Sequence, residues 1–297
     1  MRYGWIKEHK TMWPTNIMCD VLNVSTSGYY DSLASTPSAQ AQRRDRIRHA
    51  VQQVYDEHHG IYGSWKITDV MQERHDLESA CRNTVAAAMR ELGLKSRVCR
   101  TFKPTTTQVD PSKRPADNVL QQNFEADRPN QKWVTDITYI DTDTGWVYLA
   151  AVMDCFSRKV VGWSIHDSLA TQLVTDALHD AIERRRPSIW DNALLHHSDR
   201  GCQYTSDAYQ HTLKTLGITC SMSRTGCCYD NAAMERLFWS VKQEWSNHHS
   251  YVDLADARSS IFQYIEMFYN RKRIHQTLGY MTPEQYEAVH APEMNVA

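Results

Sequence analysis

Three short strand-like segments, separated only by tight turns, occupy residues 132–166 and leave few folds open to this chain. KWVTDITYID (132–141) has a strand pattern, Asp143-Thr144-Gly145 predicts a hairpin turn into WVYLAAVMDCFS, and Ser157-Arg158-Lys159 predicts a turn into VVGWSIHDS. Further on, the pattern predicts a helix at 171–186, a strand at 193–198, a helix at 206–216, a strand at 218–223 and a long helix at about 231–247. A meander followed by alternating helices and strands predicts an α/β fold, in which helices cover both faces of a mixed sheet.

The first hundred residues have a different, helical pattern. Residues 40–57 place Ile47, Val51 and Val54 at helical spacing, and YGSWKITDVMQERHD and CRNTVAAAMRELGLKSR predict two further helices separated by a short break. Asn83 or Thr84 can cap the second of these helices, and Gly93 can end it. This pattern fits an all-α helix-turn-helix region that binds DNA, and it fits an ordinary helical hairpin equally well.

A stretch with little periodicity separates these two parts. Residues 101–128 contain three prolines and three consecutive threonines, which predicts a linker. The predicted units are therefore an N-terminal helical region at 1–57, a helix-turn-helix-like region at 58–100, the linker at 101–128, and a ribonuclease-H-like core with C-terminal helices at 129–292.

The net charge of −2 conceals an uneven distribution of charge. Residues 1–125 carry 17 Lys and Arg against 14 Asp and Glu, and residues 82–114 carry eight basic residues against two acidic ones. Such a concentration indicates a polyanionic partner, most simply nucleic acid, although charged runs are usually just solvated faces. The candidate DNA contacts in this segment are Arg82, Arg90, Lys95 and Arg97.

Other classes of protein are excluded by what the sequence lacks. The eight cysteines contain no Cys-x-x-Cys pair, which argues against a structural zinc site and for reduced thiols. No apolar run approaches the roughly 18 residues of a membrane span. The N-terminal MRYGWIKEHKTMW has no apolar signal-peptide core, so we expect a cytoplasmic protein.

Three carboxylates stand out by their positions. Asp136 interrupts a strand of buried type, where a carboxylate is costly unless it is paired or binds a cation. Asp199 follows the fourth strand, which neighbours the first in this fold, and Glu235 lies in the first turn of the long helix. Three carboxylates from two adjacent strands and one helix can converge, and oxygen-only ligands favour Mg²⁺ or Mn²⁺.

The segment HHSDRGCQYTS (196–206) surrounds the second carboxylate with polar residues, and a metal site, a hydrolase site and a hydrogen-bonded turn are all open for it. No nucleophile elbow surrounds Ser198, which argues against a serine hydrolase. His196 and His197 fit packing or hydrogen bonding better than metal ligation. Arg200 and Gln203 are candidate DNA contacts, and Gly201 can let the chain turn sharply beside Asp199.

The long helix adds two further candidates. At roughly 100° per residue, Asn231 lies about 40° and Lys242 about 20° from Glu235 around the helix axis. An acceptor, a metal ligand and a cation on one helix face suit a phosphodiester substrate. A solvated polar face is the alternative, and it is the better interpretation of Lys242 taken alone.

The sequence resembles a known family over about residues 16–286. The motifs that carry the resemblance are WVTDITYI, YLAAVMDCFSRKVVGW, HHSDRGCQYTS, SMSRTGCCYDNAAMERLFWSVKQE and YNRKRIHQTLGYMTPEQYE. They resemble the integrase-core transposases of bacterial insertion sequences, in particular the second-reading-frame product of insertion sequence family three. By this resemblance Asp136, Asp199 and Glu235 are the catalytic metal ligands, and we interpret Asp154, a hallmark of the second strand, as supporting rather than catalytic.

The resemblance implies a function. We expect a DNA transposase with a retroviral-integrase-type core, which uses Mg²⁺ or Mn²⁺, two ions per site, to cut DNA at element ends and join the freed 3′ hydroxyl to another phosphodiester. The expected partners are double-stranded DNA, further copies of the chain and an upstream-frame protein. A metal-dependent nuclease of the same fold and a non-catalytic DNA-binding regulator are the alternatives.

A few positions depart from the residues usual in that family. Cys202 and Cys227 replace polar residues, Arg236-Leu237 replaces a small-then-aromatic pair, and Trp65 differs from the commoner residue of its box. None of these departures removes one of the three carboxylates.

Overall fold

A single five-stranded mixed sheet organises the larger part of the molecule. The structure, a computed structural model, describes residues 2–34, 37–97, 115–186, 194–224 and 227–291. The strands are β1 (Lys132–Thr142), β2 (Gly145–Asp154), β3 (Val160–His166), β4 (Leu195–Ser198) and β5 (Thr219–Met222), in the order β3-β2-β1-β4-β5. β1, β2 and β3 form an antiparallel meander, and β4 and β5 run parallel to β1. This is the predicted ribonuclease-H-like sheet.

Helices cover both faces of this sheet because its central strands are apolar on both sides. Ala150 and Val152 of β2 pack with helices α7 (Thr171–Arg185) and α8 (Asp207–Thr215). Leu149 and Ala151, which point to the opposite face by strand alternation, pack with α9 (Ala232–Ser240) and α10 (Leu254–Phe262). A strand buried on both faces reads as a continuous apolar run, as β2 does.

The N-terminal part is helical, as predicted. Its helices are α1 (Arg2–His9), α2 (Thr15–Val21), α3 (Thr26–Ala34), α4 (Ala39–Glu57), α5 (Ser64–Glu73) and α6 (Arg82–Glu91). The predicted cap of α6 is wrong, because the helix already begins at Arg82 and Cys81 occupies the N-cap without a side-chain hydrogen bond. The predicted end is confirmed: Gly93 has a φ of +70°, a conformation that glycine adopts without strain.

This helical part docks on the core instead of standing apart from it. The Tyr62 hydroxyl donates to the Lys272 carbonyl at 3.1 Å and accepts from the Ile274 amide at 2.9 Å. Apolar side chains of α4, α5 and α6 belong to the same buried cluster as those of α9 and α10. Helices α4 to α6 therefore share a hydrophobic core with α9 and α10, whereas the buried side chains of α1 to α3 form a separate cluster.

The predicted linker is only partly described. Residues 101–114 lie outside the described residues, whereas 115–128 contact the core, with residues 117–120 beside the edge strand β5. Leu120 is buried, and the amides of Val119 and Leu120 donate to the Ser221 hydroxyl at 2.9 and 3.1 Å. The second half of this segment is thus part of the core.

The C-terminal helices depart from regular α-helical pitch. α9 continues into a π-helical turn (Val241–Trp245) and a 3₁₀ turn (Ser246–His248), and α10 continues into a π-helical segment (Gln263–Tyr269). The last helix, α11 (Pro283–His290), begins at a capping box formed by Thr282 and Gln285. In the ranges described above, no helix combines the length and apolar character needed to cross a membrane.

Candidate active site

The pairing of β1 with β4 brings two aspartates to the same level of the sheet. The parallel register runs from Lys132 opposite Leu195 to Val134 opposite His197. Asp136 and Asp199 each lie two residues beyond the last pair, so equal rises along parallel strands place them side by side. β4 ends at Ser198, which puts Asp199 at the carboxyl end of its strand.

Helix α9 brings the third carboxylate. Met234 and Leu237 are buried against the sheet, and Asn231, just before the helix, donates from Nδ2 to the Thr135 carbonyl at 3.3 Å. The start of α9 is therefore fixed beside Asp136. Glu235, in the first turn of the helix, is exposed to solvent.

The three carboxylates interact electrostatically. Asp136 retains some exposed surface, yet burial of its carboxyl raises its pKa well above the usual range, and repulsion from Asp199 and Glu235 raises it further. A hydrogen bond from the Ile137 amide to Oδ1, at 2.8 Å, opposes these effects. Asp136 therefore lies near enough to Asp199 and Glu235 for their charges to affect its titration.

The three carboxylates fit a divalent metal ion by their chemistry, although not by their present spacing. In the described part of the chain, no three His, Cys, Asp or Glu side chains are close enough to hold a metal as they stand. The donor chemistry nevertheless fits a hard cation, because all three groups are carboxylates whose repulsion a cation would relieve. Asn231 adds a buried Oδ1 with no hydrogen-bond partner among the described residues. The residues therefore fit Mg²⁺ or Mn²⁺ chemically.

The loop after β4 holds Asp199 through backbone contacts. The Gly201 amide donates to Asp199 Oδ1 at 2.9 Å, and a Cβ at position 201 would lie only 3.0 Å from Asp199 Oδ1 and from Gln203 Oε1. A larger residue would crowd this turn, which agrees with the predicted role of Gly201. Gln203 is 7% exposed and donates to the Leu169 carbonyl at 3.0 Å, and Arg200 donates from Nε to the Ser223 carbonyl at 2.6 Å.

The two histidines before Asp199 bind hydroxyl groups. His197 contacts the Ser221 hydroxyl through Nδ1 at 2.8 Å and the Ser223 hydroxyl through Nε2 at 3.1 Å, while His196 Nε2 lies 3.1 Å from the Tyr209 hydroxyl. Burial lowers the pKa of His196 to about 3 and that of His197 to about 4. Both rings are neutral near pH 7, and their contacts agree with the predicted packing and hydrogen-bonding role.

Asp154, at the end of β2, has the contacts of a structural residue. It is fully buried, and its two oxygens accept from the Asn130 amide at 2.6 Å and the Phe156 amide at 2.9 Å. Burial raises its pKa to about 6. Asp154 thus ties the turn after β2 to the segment before β1.

Asp230 was not predicted from the sequence, yet it organises the loop before Glu235. Its carboxylate accepts from the Arg224 amide, Asn118 Nδ2 and Gln122 Nε2, each at 2.8 Å. The hydrogen bond from the Arg224 side chain is the main reason that the pKa of Asp230 lies well below its usual range. The only sequence signal was its place directly before Asn231, which does not distinguish it from a solvated carboxylate.

The two candidates on the long helix differ from the prediction. Asn231 is only 6% exposed, so it anchors α9 and has little surface for DNA. Lys242 is half-buried, and its Nζ lies 3.8 Å from the centroid of the Tyr139 ring. Burial lowers its pKa. The predicted angle between Lys242 and Glu235 assumed α-helical pitch, whereas Lys242 lies in the π-helical turn.

The basic residues of the helix-turn-helix-like region fall into two groups. On α4, Arg43 and Arg46 pair with Glu78, and Arg44 pairs with Glu91. On and after α6, the predicted contacts Arg82, Arg90, Lys95 and Arg97 are exposed, and no carboxylate among the described residues forms a salt bridge with them. The Arg82 guanidinium lies 3.9 Å from the Trp65 ring centroid. The second group therefore carries the uncompensated positive charge.

Comparisons with known proteins agree with this architecture. Two families described as "Integrase core domain" match residues 126–228 and 216–283, and one described as "HTH-like domain" matches residues 42–102. The chain resembles the HTLV-2 integrase catalytic core domain in complex with magnesium, with a TM-score of 0.41 and 18% identity over 55% of this chain and 99% of that one.

Two relatives align with this chain over nearly the whole length of both proteins. Transposase InsF for insertion sequence IS3A of Escherichia coli (strain K12) is 38% identical over 290 residues, which cover 97% of this chain and 98% of that protein. The insertion element IS600 uncharacterized 31 kDa protein of Shigella sonnei is 35% identical over 269 residues, 91% of this chain and 97% of that protein. The chain therefore belongs to the IS3 family of insertion-sequence transposases, with an integrase core domain and an HTH-like domain.

Proposed function

We propose that this transposase cuts DNA at the ends of its insertion sequence and joins the freed 3′ hydroxyl to a second phosphodiester. Asp136, Asp199 and Glu235 are the residues that hold the metal. The observation that supports the proposal is the register that sets Asp136 of β1 level with Asp199, directly after β4, together with repulsion from Asp199 and Glu235 that raises the pKa of Asp136.

The three proposed metal ligands differ in their surroundings: two are held by the sheet, and one is exposed on a helix. Two divalent cations, Mg²⁺ or Mn²⁺, would when bound supply charge stabilisation on the phosphate oxygens and activation of the attacking oxygen. Asp136 lies on β1 and Asp199 directly follows the paired strand β4, so the sheet holds both carboxylates at fixed positions. Glu235 lies on an exposed helical turn, so the site is open on that side to a polymeric substrate. No group of the protein needs to become covalently attached to DNA in either step.

Double-stranded DNA is the proposed partner in two places. Arg82, Arg90, Lys95 and Arg97 contact element ends through phosphates, because their charges are not compensated by acidic side chains. Lys242 and Arg200 contact DNA near the carboxylates. Joining two ends to one target requires more than one active site, so we propose a homo-oligomer on DNA. A fusion with an upstream-frame protein, which would contribute further contacts to the ends, is also part of the proposal.

Strand joining tests this function directly. A labelled duplex carrying one end of the element with a free 3′ hydroxyl is incubated with the full chain, supercoiled plasmid and Mg²⁺ or Mn²⁺. We expect label covalently joined to the plasmid, because the same site handles cleavage and attack by the 3′ hydroxyl. Cleaved DNA without joined product would indicate the nuclease alternative, and DNA binding without either product would indicate the regulator.

A further inference from the structure

Lys242 rests on an aromatic ring and not on a carboxylate. Its Nζ is 3.8 Å from the centroid of Tyr139, a partly exposed residue of β1. The Tyr139 ring in turn meets Trp146 of β2 edge to face, with centroids 4.9 Å apart and planes at 88°. No carboxylate among the described residues lies within salt-bridge distance of the ammonium.

An aromatic ring leaves the positive charge of Lys242 available to bind another group. A carboxylate partner would neutralise the ammonium, whereas the face of an aromatic ring attracts it by its quadrupole and leaves N–H donors free for another acceptor. A flexible lysine chain otherwise samples many conformations, and ordering it costs entropy when it binds. A ring beneath the ammonium reduces that cost.

Tyr139 and Lys242 lie at similar distances from Asp136 and Glu235, respectively. Tyr139 follows Asp136 by three residues, roughly 10 Å along a strand, and by strand alternation it points to the opposite face of the sheet, so its ring and the ammonium meet at the edge of β1. Lys242 follows Glu235 by seven residues, roughly 10 Å along a helix. Asn231 contacts Thr135 and Lys242 contacts Tyr139, so α9 and its continuation run in the same direction as β1, and the ammonium lies beyond Asp136 and Glu235 along that path. β1 pairs with β4 only as far as Val134, so this part of its edge is not covered by β4.

We propose that Tyr139 is a positioning residue for strand joining, whose ring holds the Lys242 ammonium where a DNA phosphate beside the carboxylates binds it. This inference rests on the proposed function, and it assigns to Tyr139 a role in orienting the lysine that is separate from the charge itself. Trp146 supports the Tyr139 ring from the side.

A double-mutant cycle in the full chain tests the role. Tyr139→Ile removes the ring and keeps a residue that strands accommodate well, and Tyr139→Leu repeats the change with a different shape. Tyr139→Phe keeps the ring and removes only the hydroxyl. Each is combined with Lys242→Ala, and joining rate, DNA affinity against salt concentration, and melting temperature are measured for every protein.

The expected results distinguish the positioning role of the Tyr139 ring from the charge of Lys242. Tyr139→Ile and Tyr139→Leu reduce the joining rate about fivefold, in the range of one partly buried cation–π contact, and keep the salt dependence of DNA binding. Lys242→Ala reduces both the joining rate and the salt slope, the latter by about one unit. Tyr139→Phe joins within about twofold of the wild-type rate, and adding Tyr139→Ile to Lys242→Ala causes no further loss.

Three results would overturn the inference: joining at the wild-type rate by both ring-deleted variants, a loss in Tyr139→Phe as large as in Tyr139→Ile, or losses that multiply in the double variant. A melting temperature equal to that of the wild type shows that a loss is not due to unfolding. Failure of the proposed function gives a different result, because the wild-type chain would then show no metal-dependent joining at all.

Discussion

His196 and His197 show how single residues in the sheet set the pH range of this fold. Burial holds the pKa of both rings below the value of about 6.5 for an exposed histidine. In the unfolded chain each ring binds a proton as the pH falls through 6.5, whereas in the folded chain it does so only near pH 3 or 4. Stability is therefore fully present above pH 6.5 and decreases as the pH falls below it.

The first prediction follows from that difference. Each buried histidine should contribute a loss of about 2 kcal/mol in the free energy of unfolding between pH 7 and pH 5. Urea unfolding of His196→Asn should show a pH dependence smaller by about that amount, on top of any loss of packing common to both pH values. The exposed His211 provides a matched control, since His211→Asn should keep the wild-type pH dependence. Equal slopes for the wild type and His196→Asn would show that the ring is not held neutral by the fold.

Individual residues also mark the limit of what the sequence could predict. Asp136 was identifiable because a carboxylate in an apolar strand violates the expected pattern, and Gly201 because a turn must pass close to a ligand. Asp230 and Tyr139 violate no pattern. Their roles depend on side chains more than 90 residues away in sequence, Asn118 for the one and Lys242 for the other. No local signal encodes such contacts.

At the scale of the elements, the contact of α7 with β3 depends on the absence of a side chain. A Cβ at Gly162 of β3 would lie 2.4 Å from the Ala177 carbonyl oxygen and 2.4 Å from the Ala181 amide nitrogen of α7. Both obstacles are backbone atoms, so the helix as a whole would have to move. The small residues Ala177 and Ala181 allow the same close approach from the helix side.

We therefore predict that Gly162→Ala destabilises the chain by at least about 2 kcal/mol, because over-packing against backbone cannot be relieved by a change of rotamer. Chemical denaturation measures the change. Gly4→Ala is the matched control: nothing lies within 4 Å of a Cβ at this position in α1, so alanine should be neutral or stabilise by up to about 1 kcal/mol. A neutral result for Gly162→Ala would contradict the close packing of α7.

Periodicity predicted the strands and the longer helices to within a few residues, because their apolar side chains face one or two buried surfaces. It did not predict the π-helical turn after Ser240, which changes the direction of Lys242, or the start of α6 at Arg82. Nor did it predict that residues 117–120 lie beside β5. Prolines and threonines indicate an irregular backbone, but they do not indicate whether that backbone is buried.

At the scale of the whole molecule, the basic side chains that form no salt bridge across the described helices α4 to α6 and the residues that follow them include those of Arg82, Arg90, Lys95 and Arg97. The arginines of α4 are more numerous in the sequence, yet Arg43, Arg44 and Arg46 are already paired with Glu78 or Glu91. The HTH-like domain is docked on the core through Tyr62, so DNA bound at α6, as we propose, would be held in a fixed relation to the carboxylates.

This distribution of charge predicts different effects for two otherwise similar substitutions. Arg90→Ala should weaken duplex DNA binding and lower the slope of log affinity against log salt by about one unit, because one phosphate contact and its released counterion are lost. Arg43→Ala should change the slope much less, since its charge is compensated by Glu78. Titrations of labelled duplex at several salt concentrations give both slopes. Equal slopes for the two variants would place the DNA elsewhere.

We propose that Asp136, Asp199 and Glu235 act together on a phosphodiester, and strand cleavage by single neutralising variants distinguishes this from separate roles. Asp136→Asn, Asp199→Asn and Glu235→Gln are each assayed with Mg²⁺ on a duplex carrying one element end, beside Asp143→Asn, which neutralises an exposed carboxylate in the β1–β2 turn. We predict no cleavage by the three variants, cleavage at the wild-type rate by Asp143→Asn, and melting temperatures without metal that are equal to or above the wild-type value, because neutralisation relieves repulsion. Near-normal cleavage by any one of the three would contradict the assignment of this site.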